Sequence, residues 1–294
     1  MPYICQSPTR TSPENFKGEV ILRAQSGNIT VSLPDHLQDF SYYSAEHVIV
    51  YVQNDFLEAK SYETLVSELE ALFDRASFKA TRENKMWYRV QGHQKLPANL
   101  PRSVRSFCSL FRSRRFRKWF LNTHEGFFER GCLKSVFPRT RLTMRLALHV
   151  NKVARRSFGF KLWNVYSSSV EFSFLPEGGA VPPHTDSAQK RLALVFFTPF
   201  GDVSDDMRTM WGTEFWRGRM GEGAERSWQT NTKVGKEMDA FVKRHEIFLK
   251  VPYEANTICG FVKSETSWHS VAPNPLTEDR VAVVINVWDR AALE

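Results

Sequence analysis

His184 and Asp186 stand two residues apart in the segment Pro182-Pro183-His184-Thr185-Asp186. On extended backbone, residues i and i+2 point to the same face, so this imidazole and carboxylate can grip one ion together. His269, far along the chain, offers a third ligand from a distant strand. Two imidazoles and one carboxylate on one side of a metal form the facial triad of non-heme Fe(II), which leaves positions open for cosubstrate and oxygen. Such a nitrogen and oxygen ligand set needs no cysteine. Further on, Arg280 opens the run Val281-Ala282-Val283-Val284-Ile285-Asn286. On a strand it shares a face with Ala282, Val284 and Asn286, so its guanidinium would point inward beside small side chains.

Taken singly, each piece is weak. With eight His and eleven Asp in 294 residues, about 0.3 His-x-Asp pairs arise by chance. A lone histidine is most often a satisfied core or surface residue, and Arg280 beside Asp279 reads first as an exposed charge at a strand end. Order and context are what carry weight.

The elements that must position these residues can be read coarsely. Residues 18–33 read as a hairpin around Ser26-Gly27-Asn28, and Val48–Val52 as a short strand. Leu65, Leu69, Leu72 and Phe73 recur at helical spacing, with Ser61 as the N-cap. A second helix carries Val104, Phe107, Cys108 and Phe111 on one face and Arg112, Arg114, Arg115, Arg117 and Lys118 in its later half. From about Arg139 strands dominate: Leu142–Val150, Phe160–Tyr166, Val170–Phe174, Leu192–Phe197, Thr257–Val262 and Val281–Val287. Only Gly235–Arg244 interrupts them with helical character. Helices first and strands afterwards predict an α+β fold whose second half is a sandwich or jelly roll.

The ordered set resembles the Fe(II)/2-oxoglutarate-dependent dioxygenases of the prolyl-hydroxylase-like branch. In that family a strand and a Gly-rich turn precede the His-x-Asp, as Phe172-Ser173-Phe174-Leu175-Pro176-Glu177-Gly178-Gly179 does here. A Gly-Thr segment lies midway, matched by Trp211-Gly212-Thr213-Glu214-Phe215-Trp216. The distal histidine follows a strand and a short loop, as in Cys259-Gly260-Phe261-Val262-Lys263 and then Ser267-Trp268-His269-Ser270-Val271. An Arg opening a strand comes about ten residues later, as Arg280 does. Asp55-Phe56-Leu57 before a helix is similar to the family's N-terminal region. The resemblance spans about 47 to 290.

The resemblance implies a double-stranded β-helix (jelly-roll) core with supporting N-terminal helices. On that reading residues 1–45 are an N-terminal extension with a β-hairpin, and 46–294 a single oxygenase domain. Within it lie helical support at about 55–125, the jelly-roll core at about 139–290 and an inserted loop at about 217–250. It further implies that His184, Asp186 and His269 hold Fe(II), that Arg280 clamps the distal carboxylate of 2-oxoglutarate, and that O2 is consumed with release of succinate and CO2. Related halogenases lack the carboxylate, so Asp186 favours hydroxylation. The nucleic-acid demethylase branch has a second Arg six residues after the first, where this chain has Asn286. The family's tyrosines before the Gly-rich turn and after the His-x-Asp are replaced by Leu175 and Phe197, so the second anchor of the cosubstrate is open, with Thr213, Lys190 and Asn286 as candidates.

Composition narrows the partners. The formal charge is +8, but residues 102–170 alone hold 16 Lys/Arg against Glu125 and Glu129, a net of +14, so the flanks sum to −6. This block points to a small-molecule or sugar-like, acidic substrate or to peripheral contact with an anionic membrane, and Asn286 argues against nucleic acid. The 217–250 stretch is expected to cap the site, and Trp211, Phe215, Trp216 and Trp228 are candidates to line a pocket or to pack in the core. The alternatives are a protein or peptide (prolyl-type) hydroxylase, and, in another class, a basic jelly-roll protein that binds nucleic acid or anionic membrane. The longest apolar run, Leu192–Phe197, is too short to span a bilayer. Four unclustered cysteines read as free thiols, and Met1–Pro8 lacks the apolar region of a secretory signal, so a cytoplasmic location is expected.

Overall fold

The computed structural model describes residues 19–23, 30–34, 41–45, 48–73, 79–80, 86–91, 96, 98–124, 134–138, 140–158, 162–219, 223–227 and 229–290. In chain order these form β1 (Glu19–Arg23), β2 (Thr30–Pro34), β3 (Ser41–Ala45), β4 (Val48–Gln53), α1 (Ala59–Phe73), β5 (Lys79–Ala80), β6 (Met86–Gln91), α2 (Arg102–Leu110), α3 (Arg114–His124), β7 (Lys134–Val136) and α4 (Arg141–Phe158). They continue as β8 (Trp163–Leu175), β9 (Val181–Thr185), β10 (Lys190–Phe197), α5 (Asp205–Met210), β11 (Thr213–Gly218), β12 (Asn231–Thr232), α6 (Lys236–Arg244), β13 (His245–Val251), β14 (Ile258–Val262), β15 (His269–Val271) and β16 (Arg280–Asp289).

β1 and β2 pair as the expected hairpin; its turn at 26–28 lies outside the described residues. The larger sheet has the order β3-β4-β14-β10-β16-β8-β6-β5, with β7 parallel to one end of β8. A second sheet has the order β12-β9-β15-β11-β13, antiparallel throughout. Helices together with antiparallel sheets make the fold α+β, as the sequence predicts.

Alternation along the central strands explains how a core and a cavity share one sheet. Phe172 of β8, Leu192, Leu194 and Phe196 of β10, and Val283, Ile285 and Val287 of β16 face the helices, where they join Leu65, Leu69, Phe107, Phe111 and Phe120 in one buried cluster. Phe196 meets the rings of Phe56 and Phe107 at 5.2 and 5.6 Å. Burying a side chain of this size contributes about 1.5–3 kcal/mol, so the aromatic layer under the helices is a main source of stability. The intervening residues, among them Glu171, Ser173, Ala193, Val195, Ala282, Val284 and Asn286, line the other face, which looks into a cavity.

Several local expectations are corrected. The stretch Leu142–Val150 is helical, not a strand. Its alternating apolar residues mimic period two, but Met144, Ala147, Asn151 and Ala154 are the ones buried, at helical spacing. Thr140 caps the start, its hydroxyl accepting from the Thr143 N–H at 3.1 Å. The single helix expected after Pro101 is two, because Ser113 breaks it and caps α3, its Oγ accepting from the Phe116 N–H at 3.0 Å. Ser61 lies inside α1 rather than at its cap. The two strands expected across 160–174 are one, since Ser167, Ser168 and Ser169 form no turn. Their hydroxyls are satisfied in place by Arg290, the Phe111 carbonyl and Trp288. The stretch 217–250 is more than a loop: it contains α6 and most of β13, which pairs with β11 through a bulge.

Candidate active site

β9 and β15 lie side by side in the second sheet, with His269 directly opposite His184. The turn before β15 is tied by Ser267, whose hydroxyl donates to the Ser264 carbonyl at 2.9 Å and accepts from its N–H at 3.1 Å. Buried Trp268 donates its indole N–H to the Glu225 carbonyl at 2.6 Å, fixing the residue next to His269.

The two imidazoles stand with ring centroids 4.1 Å apart. Nδ1 of His184 is 3.0 Å from the Pro182 carbonyl, and Nδ1 of His269 is 3.0 Å from the Ser267 carbonyl. A carbonyl only accepts, so each Nδ1 carries the proton, and in the neutral ring Nε2 presents a lone pair. These nitrogens approach the Asp186 carboxylate at 3.9 and 3.8 Å. Each residue of the trio offers a ligand atom, and all three atoms lie within 4.8 Å of one another.

Electrostatics suits a cation at this point. Burial pushes the His269 pKa down to about 3, with a further push from His184, so its ring is neutral and free to ligate. Burial alone would raise the Asp186 carboxyl, but opposite charge beside it, that of Lys190 foremost, outweighs burial and holds it well below the usual range. Lys190 Nζ sits 2.6 Å from Asp186 Oδ1. The other oxygen, Oδ2, is buried and accepts no hydrogen bond. An unsatisfied buried carboxylate oxygen beside two imidazole lone pairs is the donor set a divalent metal ion completes.

Arg280 begins β16 and is buried. Its Nε donates to the Trp211 carbonyl at 2.6 Å, Nη2 lies 3.5 Å from Thr213 Oγ1, and the guanidinium stands 5.5 and 5.3 Å from the rings of Phe197 and Tyr253. None of these partners is a carboxylate, so the buried charge suits an incoming anion. Tyr253 secures the strand start by donating to the Val281 carbonyl and accepting from its N–H, at 2.7 and 3.0 Å.

His184, Asp186, His269 and Arg280 open onto one cavity of about 480 Å³ between the sheets. Lys190, Thr213 and Asn286, the candidates for a second anchor, line it as well, and Asn286 Oδ1 is buried without a hydrogen bond. Trp211 and Phe215 pack in the core around Phe197 and Tyr253, and Trp216 packs with Phe241 and Trp268; Trp228 lies outside the described residues. The aromatics on the cavity wall are instead Phe261 and Trp288, which sequence reasoning missed; Trp288 was within reach of a simple pattern. Extending the alternation Arg280, Ala282, Val284, Asn286 by two residues reaches it. Arg89 and Glu171, paired across β6 and β8 with Nε–Oε2 2.9 Å, also line the wall; they had no signal in the sequence, being 82 residues apart.

No protein-family model matches the chain, and no curated protein matches it. Among solved structures it is similar to a prolyl-4-hydroxylase of Pseudomonas putida, at 12% identity and TM-score 0.47 over 82% of this chain and 92% of that one. It is also similar to an oxidoreductase of the 2OG-Fe(II) oxygenase family from Burkholderia pseudomallei, at 12% identity and TM-score 0.40, covering 82% and 85%. A third is the epimerase SnoN in complex with Fe3+, alpha ketoglutarate and nogalamycin RO, at 12% identity and TM-score 0.38, covering 82% and 78%.

Proposed function

We propose that the chain is a non-heme Fe(II)/2-oxoglutarate-dependent dioxygenase that hydroxylates a C–H bond of a small-molecule or sugar-like, acidic substrate. The observation that carries this reading is one cavity holding, on opposed sheets, a His-Asp-His trio with converging ligand atoms and a buried arginine without a carboxylate. The strand orders β14-β10-β16-β8 and β9-β15-β11-β13 support reading the core as a double-stranded β-helix.

In this reading His184, Asp186 and His269 hold the iron, and their backbone-bonded Nδ1 atoms keep both rings oriented. When bound, the iron with 2-oxoglutarate and O2 supplies the oxidation of the C–H bond, with succinate and CO2 as by-products. Arg280 receives the distal carboxylate of the cosubstrate by charge-assisted hydrogen bonds, a role its planar fork suits better than an ammonium would. Lys190, Thr213 and Asn286 offer hydrogen bonds along the same wall. Ala193, Val195, Phe261, Ala282 and Val284 make up an apolar part of it. With Asp186 in place the protein fills three positions, which favours hydroxylation over halogenation.

The cavity volume lies within the range of small-molecule sites, about 300–1,000 Å³. Lys190 and Arg89 stand 5.4 and 5.7 Å from the Trp288 ring, but each is paired with a carboxylate, Asp186 and Glu171, so the acidic character of the substrate rests on the basic block at 102–170. The test is anaerobic spectroscopy of the full chain with Fe(II) and 2-oxoglutarate. A visible metal-to-ligand charge-transfer band should appear and should be lost in His184→Ala; folded, iron-loaded protein without the band would sink the reading.

A further inference from the structure

α4 carries apolar side chains on both of its faces. It sends Met144, Ala147, Asn151 and Ala154 to the sheet, while Leu142, Leu146 and Val153 stand outward at 77%, 61% and 48% exposure. At about 100° per residue, counted from Leu142, Leu146 and Val153 fall near 40° and 20°, opposite a buried face centred near 160°. Leu142, Leu146 and Val153 thus make one narrow apolar stripe on the solvent side, while Met144 and Leu148 pack inward. Arg141, Arg145, Lys152 and Arg156 run along one flank of it, at about 260–320°, and α4 contains no Asp or Glu.

We propose that α4 docks the protein on an anionic membrane surface, with Leu142, Leu146 and Val153 entering among the headgroups and the flanking cations meeting lipid phosphates and carboxylates. Charge complementarity selects this occupant. A second copy would bring the same positive face and be repelled, and a nucleic acid would leave the outward leucines without a partner. A convex stripe beside a basic row suits an interface in which apolar depth and negative charge lie side by side. No described helix is long and apolar enough to cross a membrane, so α4 lies on the surface, where its 18 residues extend about 27 Å.

The docking helix is rigidly joined to the strand that serves the cavity. Asn151 donates to the Trp163 carbonyl at 2.7 Å and accepts from its N–H at 2.9 Å, while Met144 and Ala147 pack on Val165. The same strand, β8, carries Glu171, Ser173 and Leu175 on the cavity wall, beginning about 20 Å further along. The surface and the proposed oxidation stand or fall separately.

The test is sedimentation of the full chain with vesicles of phosphatidylcholine alone and with about 30% phosphatidylserine, from roughly 0.1 to 0.5 M NaCl. Binding is expected only to the anionic vesicles, falling with salt, and weakened about tenfold or more in Leu142→Gln/Leu146→Gln and again in Arg145→Gln/Arg156→Gln. Both pairs are exposed, so thermal melts should match the parent. As an independent readout, Leu142→Trp should show blue-shifted emission with anionic vesicles alone. Failure to bind, binding that both double variants leave intact, tighter binding to duplex DNA than to the anionic vesicles, or self-association abolished by Leu142→Gln/Leu146→Gln would each overturn the proposal.

Discussion

His184 and His269 face each other across the β9–β15 ladder, and each donates from Nδ1 to the carbonyl two residues before it, at the same distance of 3.0 Å. One local device is used twice. Both rings are thereby fixed in the tautomer whose Nε2 can bind a metal, with no acidic residue needed to orient them. Backbone carbonyls orient the two rings, and the Lys190 ammonium holds the third member, Asp186, at 2.6 Å.

A metal that binds this trio should stabilise the fold. At a concentration one hundred times its dissociation constant, a ligand specific for the folded state contributes about 2.7 kcal/mol. For a chain of this size that corresponds to a rise of roughly 4–5 °C in Tm. Anaerobic melts with Fe(II) should show the rise, EDTA should reverse it, and His184→Ala and His269→Ala should not show it. A shift retained by both variants would place the metal elsewhere.

Arg280→Ala should weaken 2-oxoglutarate binding about 10- to 100-fold, the range for losing charge-assisted hydrogen bonds to a carboxylate, while leaving the metal-induced rise in Tm intact. Arg280→Lys should recover only part of the loss, because the ammonium keeps the charge but not the planar fork. Calorimetric titration of the cosubstrate checks both. Unchanged affinity in Arg280→Ala would remove the clamp from the reading.

The residues of the site were legible in the sequence because strands impose a strict period. His184 and Asp186, and Arg280 with Ala282, Val284 and Asn286, could be assigned to shared faces without knowing the fold. The same rule failed over Leu142–Val150, where Leu142, Met144, Leu146, Leu148 and Val150 alternate yet lie on a helix. The misleading residues are the outward ones: α4 exposes Leu142 and Leu146, so its apolar pattern does not report its buried face. The break between α2 and α3 was hidden for a different reason. A single hydroxyl, Ser113, ends one apolar periodicity and starts another almost in phase. Arg89 and Glu171 meet only through the β6–β8 register, which no local pattern encodes.

Asn274 is the part of the scaffold whose loss should be felt at both ends of the site. Its Oδ1 accepts from the Trp211 indole N–H at 2.8 Å and from the Leu276 N–H at 3.0 Å; its Nδ2 donates to the carbonyls of Leu175 and Glu278 at 3.0 and 2.8 Å. Its backbone pairs with Gly178 and Gly179, the turn leading to β9. Asn274→Leu leaves four groups without partners and should cost about 2–4 kcal/mol, read as a lower urea midpoint, with 2-oxoglutarate affinity reduced through Trp211 and Arg280. A variant as stable as the parent would show the network to be dispensable.

Alkali should unfold the protein through its buried acids. Burial pushes the thiols of Cys108 and Cys259 from 9.0 to about 12, and the Tyr62 hydroxyl from 10.0 to about 12. The folded state favours the protonated forms, so the stability they contribute is complete below about pH 9 and is lost as pH rises from there towards 12. Urea midpoints should fall steadily between pH 9 and 11, and Cys108→Val should make the fall shallower. A flat profile would contradict the burial of these groups.

Gly260 of β14 lies opposite Tyr51 of β4, and the tyrosine ring covers the space a side chain would need. A Cβ built on Gly260 would meet Tyr51 Cε2, Cζ and Oη at 2.1, 2.3 and 2.6 Å. Tyr51 is itself fully buried, so the ring cannot swing to solvent. Gly260→Ala should therefore cost about 1–3 kcal/mol of stability, the usual range for overpacking a core. The clash can be isolated by a double-mutant cycle. Tyr51→Leu should destabilise alone through lost burial, but adding Gly260→Ala to it should cost much less than Gly260→Ala in the parent, because the shorter side chain vacates the contact. Urea denaturation of the four proteins measures the coupling, and additive losses would mean that the strain sits elsewhere than between Gly260 and Tyr51.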